Sequence, residues 1–523
     1  MSCAPRRARA RVLACACVLW SCSAPSDRPV LPSRTAQPPS AIADAGAPGD
    51  IDAGAAGDAG VSSAEPEWPL EMVATLLPAE RALDVRLDLA LGWVPPPRGT
   101  DASAWGGVSG ATLTFADDLP FATGRGFAQF VTVAGEGGQR TSWPARITVT
   151  DGRLSIAYRV ALRHHEASPA RGLDEVPHPT RGGWFLAGRA FVPRHIRLAD
   201  GRALDVAGQL TIRAPSGWTI VGSPDREGDV FRASSFRGLA DAVFALGDLR
   251  STHVRVGEVD IAIVTSDFDE EVLDRMADLV RRILTEGQAL LGPLPPSRLL
   301  VVHDRSAAGI DGGVVGRSIA VLTEHAPTGR AREDAAIVTV HELMHLWNRS
   351  EAWWINEGMT RYLEVLLSLR LDRADEAAAM AAWLPVVRRY EAEAEGQTIA
   401  ASTGAWGYAA GAVAMFCADT HLRRTTQTTL LEVHRRARTQ GVAPGGGNTV
   451  SADALLSALD AASADTGAYV RALVAQRGSI DVDACFARAG YALSRARRRA
   501  RRMRGRDDRA WPFAWRDVNT ARP

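Results

Sequence analysis

Two histidines stand four residues apart at positions 341 and 345, at the head of the stretch HELMHLWNRSEAWWINEGMTRYLE (341–364). The apolar pattern of 335–347 predicts a helix with Ile337, Val338, His341, Met344 and His345 on one side. Side chains at i and i+4 project from the same face, so both imidazoles can share one metal, zinc above all, at ~2.0–2.1 Å. Glu342 points about 100° further round the helix, away from that ligand direction. From there it can take a proton from a water activated by the metal, the role of a general base. H-E-x-x-H supplies two ligands, and a catalytic zinc needs a third from elsewhere while keeping one position open. Glu351, Glu357 and Glu364 all follow downstream, and residue type alone leaves the choice among them open.

The rest of the 523-residue chain must position these groups. That length is enough for two to four domains with substantial cores. Lys+Arg and Asp+Glu each number 60, so the formal charge is zero and nothing global favours a polyanionic partner. Arg6, Arg7, Arg9 and Arg11 precede an apolar run from Val12 to Trp20, which predicts a signal segment over 1–22. Such a run is too short to span a bilayer as a mature helix. Leu19-Trp20-Ser21-Cys22 resembles a bacterial lipobox. The resemblance implies lipidation of Cys22, export, and a membrane-anchored lipoprotein on the periplasmic or cell-surface face. Beyond the signal and Cys22, the cysteines are Cys417 and Cys485, which could pair in an oxidising compartment if the fold brings them together.

Residues 23–65 are rich in Ala, Gly, Pro, Ser and Asp without periodicity, and read as a disordered linker. As a coil it would hold a domain roughly 35 Å from its anchor. Over 66–265 the period is two. Leu83, Val85, Leu87, Leu89 and Leu91 alternate with Asp84, Arg86, Asp88 and Ala90, and Leu154, Ile156, Tyr158, Val160 and Leu162 repeat the pattern. This predicts a β domain with one polar and one buried face per sheet, and Asp151-Gly152 predicts a hairpin turn between two of its strands. From residue 268 the period becomes helical. It predicts a helix over 268–291 ended by Gly292-Pro293, and buried strands at Leu299–Val302 and 317–322. From about Arg332 onward the pattern is almost all helical, with a loop at 441–450.

His345-Leu346-Trp347-Asn348 and Trp354-Ile355-Asn356-Glu357-Gly358 resemble the motifs H-x-W-N and W-x-x-E-G of the gluzincin metallopeptidases. The likeness is to the glycyl aminopeptidase family, related to aminopeptidase N and leukotriene hydrolase. The resemblance implies one zinc per chain held by His341, His345 and Glu357, since the glutamate of the E-G pair is the third ligand there. The aminopeptidase N spacing of eighteen residues would instead land on Glu364; here eleven residues separate His345 from Glu357. Three local readings favour Glu357. Asn356 is a good N-cap, which would put Glu357 in the first turn of the second helix, at the positive end of its dipole. Gly358 would remove a side chain where two helices approach closely. Glu364 would lie ~10.5 Å further along the axis, suited to hydrogen bonding a ligand histidine rather than the metal. Glu351 would sit solvated in the loop.

Trp406-Gly407-Tyr408-Ala409-Ala410-Gly411-Ala412 resembles the gluzincin Y-x-x-G-A motif, with Ala410 where lysine is usual. That implies Tyr408 as hydrogen-bond donor to the oxyanion formed on a peptide carbonyl. Weaker likenesses at 214–220, 245–250, 290–302, 451–459 and 486–493 extend the resemblance over roughly 66–493. The family's upstream strand carries a glutamate that grips a substrate's free amine. The corresponding stretch, Gly312-Gly313-Val314-Val315-Gly316-Arg317-Ser318, has no carboxylate and offers Gly312, Gly313 and Arg317 to substrate. Glu324, at the end of the same apparent strand, is another carboxylate that could reach the site.

Together these readings predict an α+β multidomain chain. After the signal and linker come an N-terminal β-sandwich-like domain (66–265), a thermolysin-like zinc domain (266–375), a C-terminal helical domain (376–493) and a basic tail (494–523). The stretch SRARRRARRMRGRDDR that opens the tail lacks interleaved aromatics, so no nucleic acid partner is expected, and it reads as a solvated helix end. The expected activity is zinc-dependent hydrolysis of peptide bonds in a peptide or protein substrate. The alternative is a non-catalytic surface binding protein that keeps the zinc site as a structural element.

Overall fold

Alternating residues become sheet because only one face of each strand has to be dry. The structure, a computed structural model, describes residues 70–90, 110–114, 131–134, 140–141, 145–148, 153–162, 177–193, 195–198, 201, 203–305, 311–315, 318–323, 329–371, 376–393, 397–440, 449–476, 480–494 and 499–502. An eight-stranded sheet is centred on Leu70–Leu77, Ala82–Ala90 and Arg153–Ala161. Leu83, Val85, Leu87 and Leu89 face its core, as do Leu154, Ile156, Tyr158 and Val160. The cross-strand partners Leu87↔Ile156 and Leu89↔Leu154 put apolar beside apolar.

Two departures from the sequence reading concern how strands are shared between sheets. Ala145–Thr148 pairs with Gly110–Thr114 in a separate four-stranded sheet, while Arg153–Ala161 pairs with Ala82–Ala90 and Val131–Ala134. The strands on either side of Asp151-Gly152 therefore lie in different sheets and do not pair as the expected hairpin. A third sheet, containing Gly183–Ala187 and Val243–Gly247, is buried on both faces. Trp184, Leu186, Phe244 and Leu246 face the N-terminal core. Phe185, Val243 and Ala245 pack against Ala262, Val264, Leu300, Val302 and Ala320 of the next sheet. Burial on both sides removes the need for polar alternation, which is why GWFLA and VFALG are continuous apolar runs.

That next sheet has five strands in the order Arg250–Val256, Val259–Thr265, Ser297–Arg305, Ser318–Thr323 and Asp311–Val315. Its first two strands precede residue 265, so this sheet begins before the change of period at residue 268. Helix α1 (Glu270–Leu291) makes the crossover between parallel strands. Asp269 caps it by accepting the Val272 N–H at 2.9 Å, and Gly292, at φ 89°, ends it.

Helices α2 (Gly329–Met344), α3 (Trp353–Arg370), α4 (Glu376–Glu393), α5 (Gly404–Thr425) and α6 (Leu430–Gln440) follow. Three shorter ones complete the helical part: α7 (Ala452–Ala462), α8 (Ala464–Ala475) and α9 (Val482–Arg488). One apolar cluster runs continuously from Val254 to Tyr491, so the C-terminal helices share a core with the histidine-bearing helix. Trp347 is fully buried in it; its ring occupies the space left by Gly287 of α1, and its Nε1–H donates to Gly292 O at 2.8 Å. A disulfide joins Cys417 of α5 to Cys485 of α9. The last described residues are two paired strands, Tyr491–Ser494 with Arg499–Arg502, where the sequence suggested a helix end. Among the described residues no helix is long and apolar enough to cross a membrane.

The contact that matters most for the site is between α3 and α5. A Cβ on Gly358 would lie 2.3 Å from the Gly411 carbonyl carbon, and one on Gly411 would lie 2.4 Å from the Trp354 carbonyl oxygen. Gly358 thus serves a close helix approach, but its partner is α5 and not α2. The obstacles are backbone atoms, which cannot swing aside. Gly411→Ala should therefore lower stability by about 1–3 kcal/mol, the usual cost of overpacking. Urea unfolding of the variant against wild type measures this, and an unchanged midpoint would show that the helices are free to separate.

Candidate metal centre and active site

Helix α2 presents His341 and His345 one turn apart, and its last turn tightens as His345 N–H bonds back to Glu342 O at 3.2 Å. Helix α3 begins at Trp353, with Ala352 preceding it, so it starts a turn earlier than Asn356 suggested and Glu357 lies in its second turn. Asn356 does not cap the helix. Its Oδ1 accepts the Ser350 N–H at 3.1 Å, and its Nδ2 donates to Glu357 Oε1 at 2.8 Å. The carboxylate is aimed by this side-chain contact more than by the helix end.

Glu357 Oε2 comes to 3.4 Å from His341 Nε2 and 3.6 Å from His345 Nε2, with all three side chains buried. That oxygen has no hydrogen-bond partner. A buried carboxylate oxygen without a hydrogen bond is costly unless a cation meets it. Two imidazole nitrogens and one carboxylate oxygen, mutually within 4.8 Å, match the donor set of a catalytic zinc with one position open. The residues present therefore fit zinc.

Glu364 stands behind His341, its Oε2 3.1 Å from Nδ1, and pairs on its other side with Arg361. A carboxylate can only accept, so Nδ1 carries a proton in either charge state, and in the neutral ring, the form that would bind a metal, the Nε2 lone pair faces Glu357. His345 is fixed in the same sense, with its Nδ1 3.3 Å from Asn348 O and 3.3 Å from Thr360 Oγ1. Burial pulls the His341 pKa down, but Glu357 and Glu364, with Glu342, outweigh it and hold the ring at about 10. Burial likewise works against ionised Glu357 and Glu364. His345 and His341 override it at Glu357, and Arg361 and His341 override it at Glu364, so both stay below the usual carboxylate range. The carboxylates around His341 thus favour positive charge there, carried by the ring itself or by a bound metal.

Glu342 is buried beside this centre, under the Asp311–Val315 strand. A Cβ on Gly312 would lie 2.6 Å from Glu342 Oε1, so glycine is needed for the strand to cross the carboxylate. Gly313 is buried next to it. Arg317 and Glu324 lie outside the described residues. Glu351 is exposed.

Tyr408, in the first turns of α5, stacks on His341 with ring centroids 5.4 Å apart and 26° between planes. Its hydroxyl is 3.0 Å from His341 Nδ1, on the side of the ring away from Glu357. An oxyanion donor has to reach the opposite side. The resting hydroxyl instead meets the N–H that Glu364 also accepts.

Sequence reading missed Arg361, Thr360 and His434. Helical spacing from Glu357 and Glu364 could have pointed to the first two. His434 is 86 residues from the side chain it meets, Asn348, and carries no local signal.

With this geometry the chain resembles known structures. It is similar to an aminopeptidase N family protein from Idiomarina loihiensis at 15% identity and TM-score 0.63, over 81% of this chain and 79% of that one. It also resembles an M1 zinc metallopeptidase from Deinococcus radiodurans at 15% identity and TM-score 0.46, over 79% of this chain and 94% of that one. No protein-family model matches the chain, and no curated protein does. At such identity the likeness shows the fold alone, shared with the aminopeptidase N family protein: α+β, with N-terminal sheets and a C-terminal helical region.

The site separates the two glutamates by role. Glu357→Gln should abolish stoichiometric zinc, while Glu364→Gln should weaken it by about 10–100-fold. Metal analysis after dialysis against graded chelator tests this, and the reverse ranking would overturn the ligand assignment.

Proposed function

We propose that this chain is a zinc-dependent peptidase. The observation that carries the reading is the convergence of His341 Nε2, His345 Nε2 and the unpartnered Glu357 Oε2 beside a buried Glu342. Zinc bound there supplies Lewis acidity, polarising a peptide carbonyl and making a water nucleophilic near neutral pH. Glu342 takes the proton of the attacking water and returns it to the departing amine as the C–N bond breaks and the C–O bond forms. Glu364, backed by Arg361, keeps the proton on His341 Nδ1. The Tyr408 hydroxyl, turning from Nδ1, donates to the carbonyl oxygen as it gains charge.

The same reading places the protein outside the cytoplasm, anchored through lipid on Cys22. The basic and apolar start supports this, as does the Cys417–Cys485 disulfide, a bond at home in an oxidising compartment. The substrate is a peptide or protein. The Gly312–Ser318 stretch has no carboxylate to pair with a free ammonium group, so cleavage does not depend on a free N-terminus.

Glu342→Gln is the direct test. The variant should keep one zinc per chain and its thermal stability, and lose about 10²–10⁴-fold in turnover of a mixed peptide library. Wild-type turnover in the variant would remove Glu342 as base. Zinc binding by the wild type with no chelator-sensitive turnover on any peptide would instead make the chain a non-catalytic binding protein. Peptides cleaved by the wild type, remade with acetylated N-termini, should still be cleaved; strict dependence on the free amine would restore an aminopeptidase.

A further inference from the structure

A second buried polar chain leads away from His345, and the reaction described above does not use it. Asn348, completely buried, donates from Nδ2 to Ile355 O, Asn356 O and Thr360 Oγ1, each at 2.8 Å. Two of those acceptors are backbone carbonyls, which only the NH₂ group can meet, so the orientation of the amide is fixed. Its Oδ1 must then face the other way. There it accepts from His434 Nε2 of α6 at 3.1 Å, its sole partner among the described residues. His434 is fully buried as well and must carry its proton on Nε2.

The far end of this chain is the metal ligand. The Thr360 hydroxyl donates to Asn356 O at 2.6 Å, so its oxygen is free to accept from Asn348 Nδ2 and from His345 Nδ1. The carbonyl of Asn348 itself lies 3.3 Å from the same Nδ1. Both acceptors for the His345 ring proton are thus held by one asparagine, and that asparagine is held by His434.

We propose that His434 is a positioning residue for His345: acting through Asn348, it holds that imidazole with Nδ1 protonated and Nε2 turned toward Glu357. The inference rests on the zinc reading of the site. Without the His434 N–H, Asn348 Oδ1 is buried and unpaired, a cost relieved if the side chain shifts to reach another donor. Such a shift would carry with it the Asn348 carbonyl and the Thr360 hydroxyl that meet the His345 ring.

Two substitutions separate positioning from packing. His434→Met fills similar space without an N–H donor, and His434→Gln keeps a donor within reach. Each is compared with wild type for zinc affinity by chelator competition, the visible spectrum of the cobalt(II)-substituted site, and thermal unfolding without metal. His434→Met should loosen zinc by about tenfold and shift the cobalt bands, while His434→Gln should stay within about twofold of wild type in affinity, with its bands unmoved. A methionine variant of lowered thermal stability but unchanged zinc affinity and cobalt spectrum would show a packing role and overturn the proposal. Equal loosening in both variants would do the same. Should the methionine variant not fold, the glutamine variant decides alone: wild-type affinity and spectrum support the proposal, and a tenfold loss sinks it. Failure of the wild type to bind zinc at all would mark a failure of the site reading, on which this proposal depends.

Discussion

The crossing of α3 and α5 at Gly358 and Gly411 is the constraint on which the site depends. Helix α3 brings Glu357 and Glu364; α5 brings Tyr408. With backbones separated only by what two missing side chains allow, the carboxylates and the phenol reach the same imidazole, His341, from two helices. This explains in physical terms why an E-G pair and a Y-x-x-G pattern belong together. The glycines touch each other, and the functional residues beside them are carried to a common point. A methyl group on either helix would push the two faces apart by more than a hydrogen bond tolerates.

The second constraint is electrostatic. His341, Glu342, His345, Glu357 and Glu364 are each under a tenth exposed. Burying that many titratable groups is unfavourable unless each is paired. Glu364 has Arg361 and His341, and Glu357 Oε1 has Asn356, leaving Glu357 Oε2 without a hydrogen bond at the centre. The hydrogen bonds farther out act in one sense, keeping protons on the two Nδ1 atoms, so that in the neutral rings the two Nε2 lone pairs converge. The network is thus organised around the point where His341, His345 and Glu357 converge.

The sheets serve this arrangement at a distance. The strand over Glu342 has glycine at 312, where a Cβ would press on the Glu342 and Val338 side chains, and it lies at the edge of a sheet buried against α1. Trp347, two residues past the second histidine, keys the end of α2 into the groove at Gly287. The disulfide between α5 and α9 restrains the helix that carries Tyr408.

By itself the sequence determined what periodicity and spacing can encode. It carried the strands of the N-terminal region, helix α1 with its Gly292 end, and the order of histidines and glutamates along two helices. These follow from local rules, since burial of one face dictates the period and i, i+4 spacing dictates a shared face. It did not determine where α3 begins, because the short loop satisfies its polar groups through Asn356 rather than through a cap. Nor did it reveal that Gly358 meets α5, that GWFLA is covered on both sides, or that the strands flanking Asp151-Gly152 part into different sheets. Each of these depends on a partner far away in the chain, and no local pattern records which one. His434 is the extreme case: its imidazole is unremarkable in sequence, and only the packing of α6 against the turn after α2 places its N–H on Asn348.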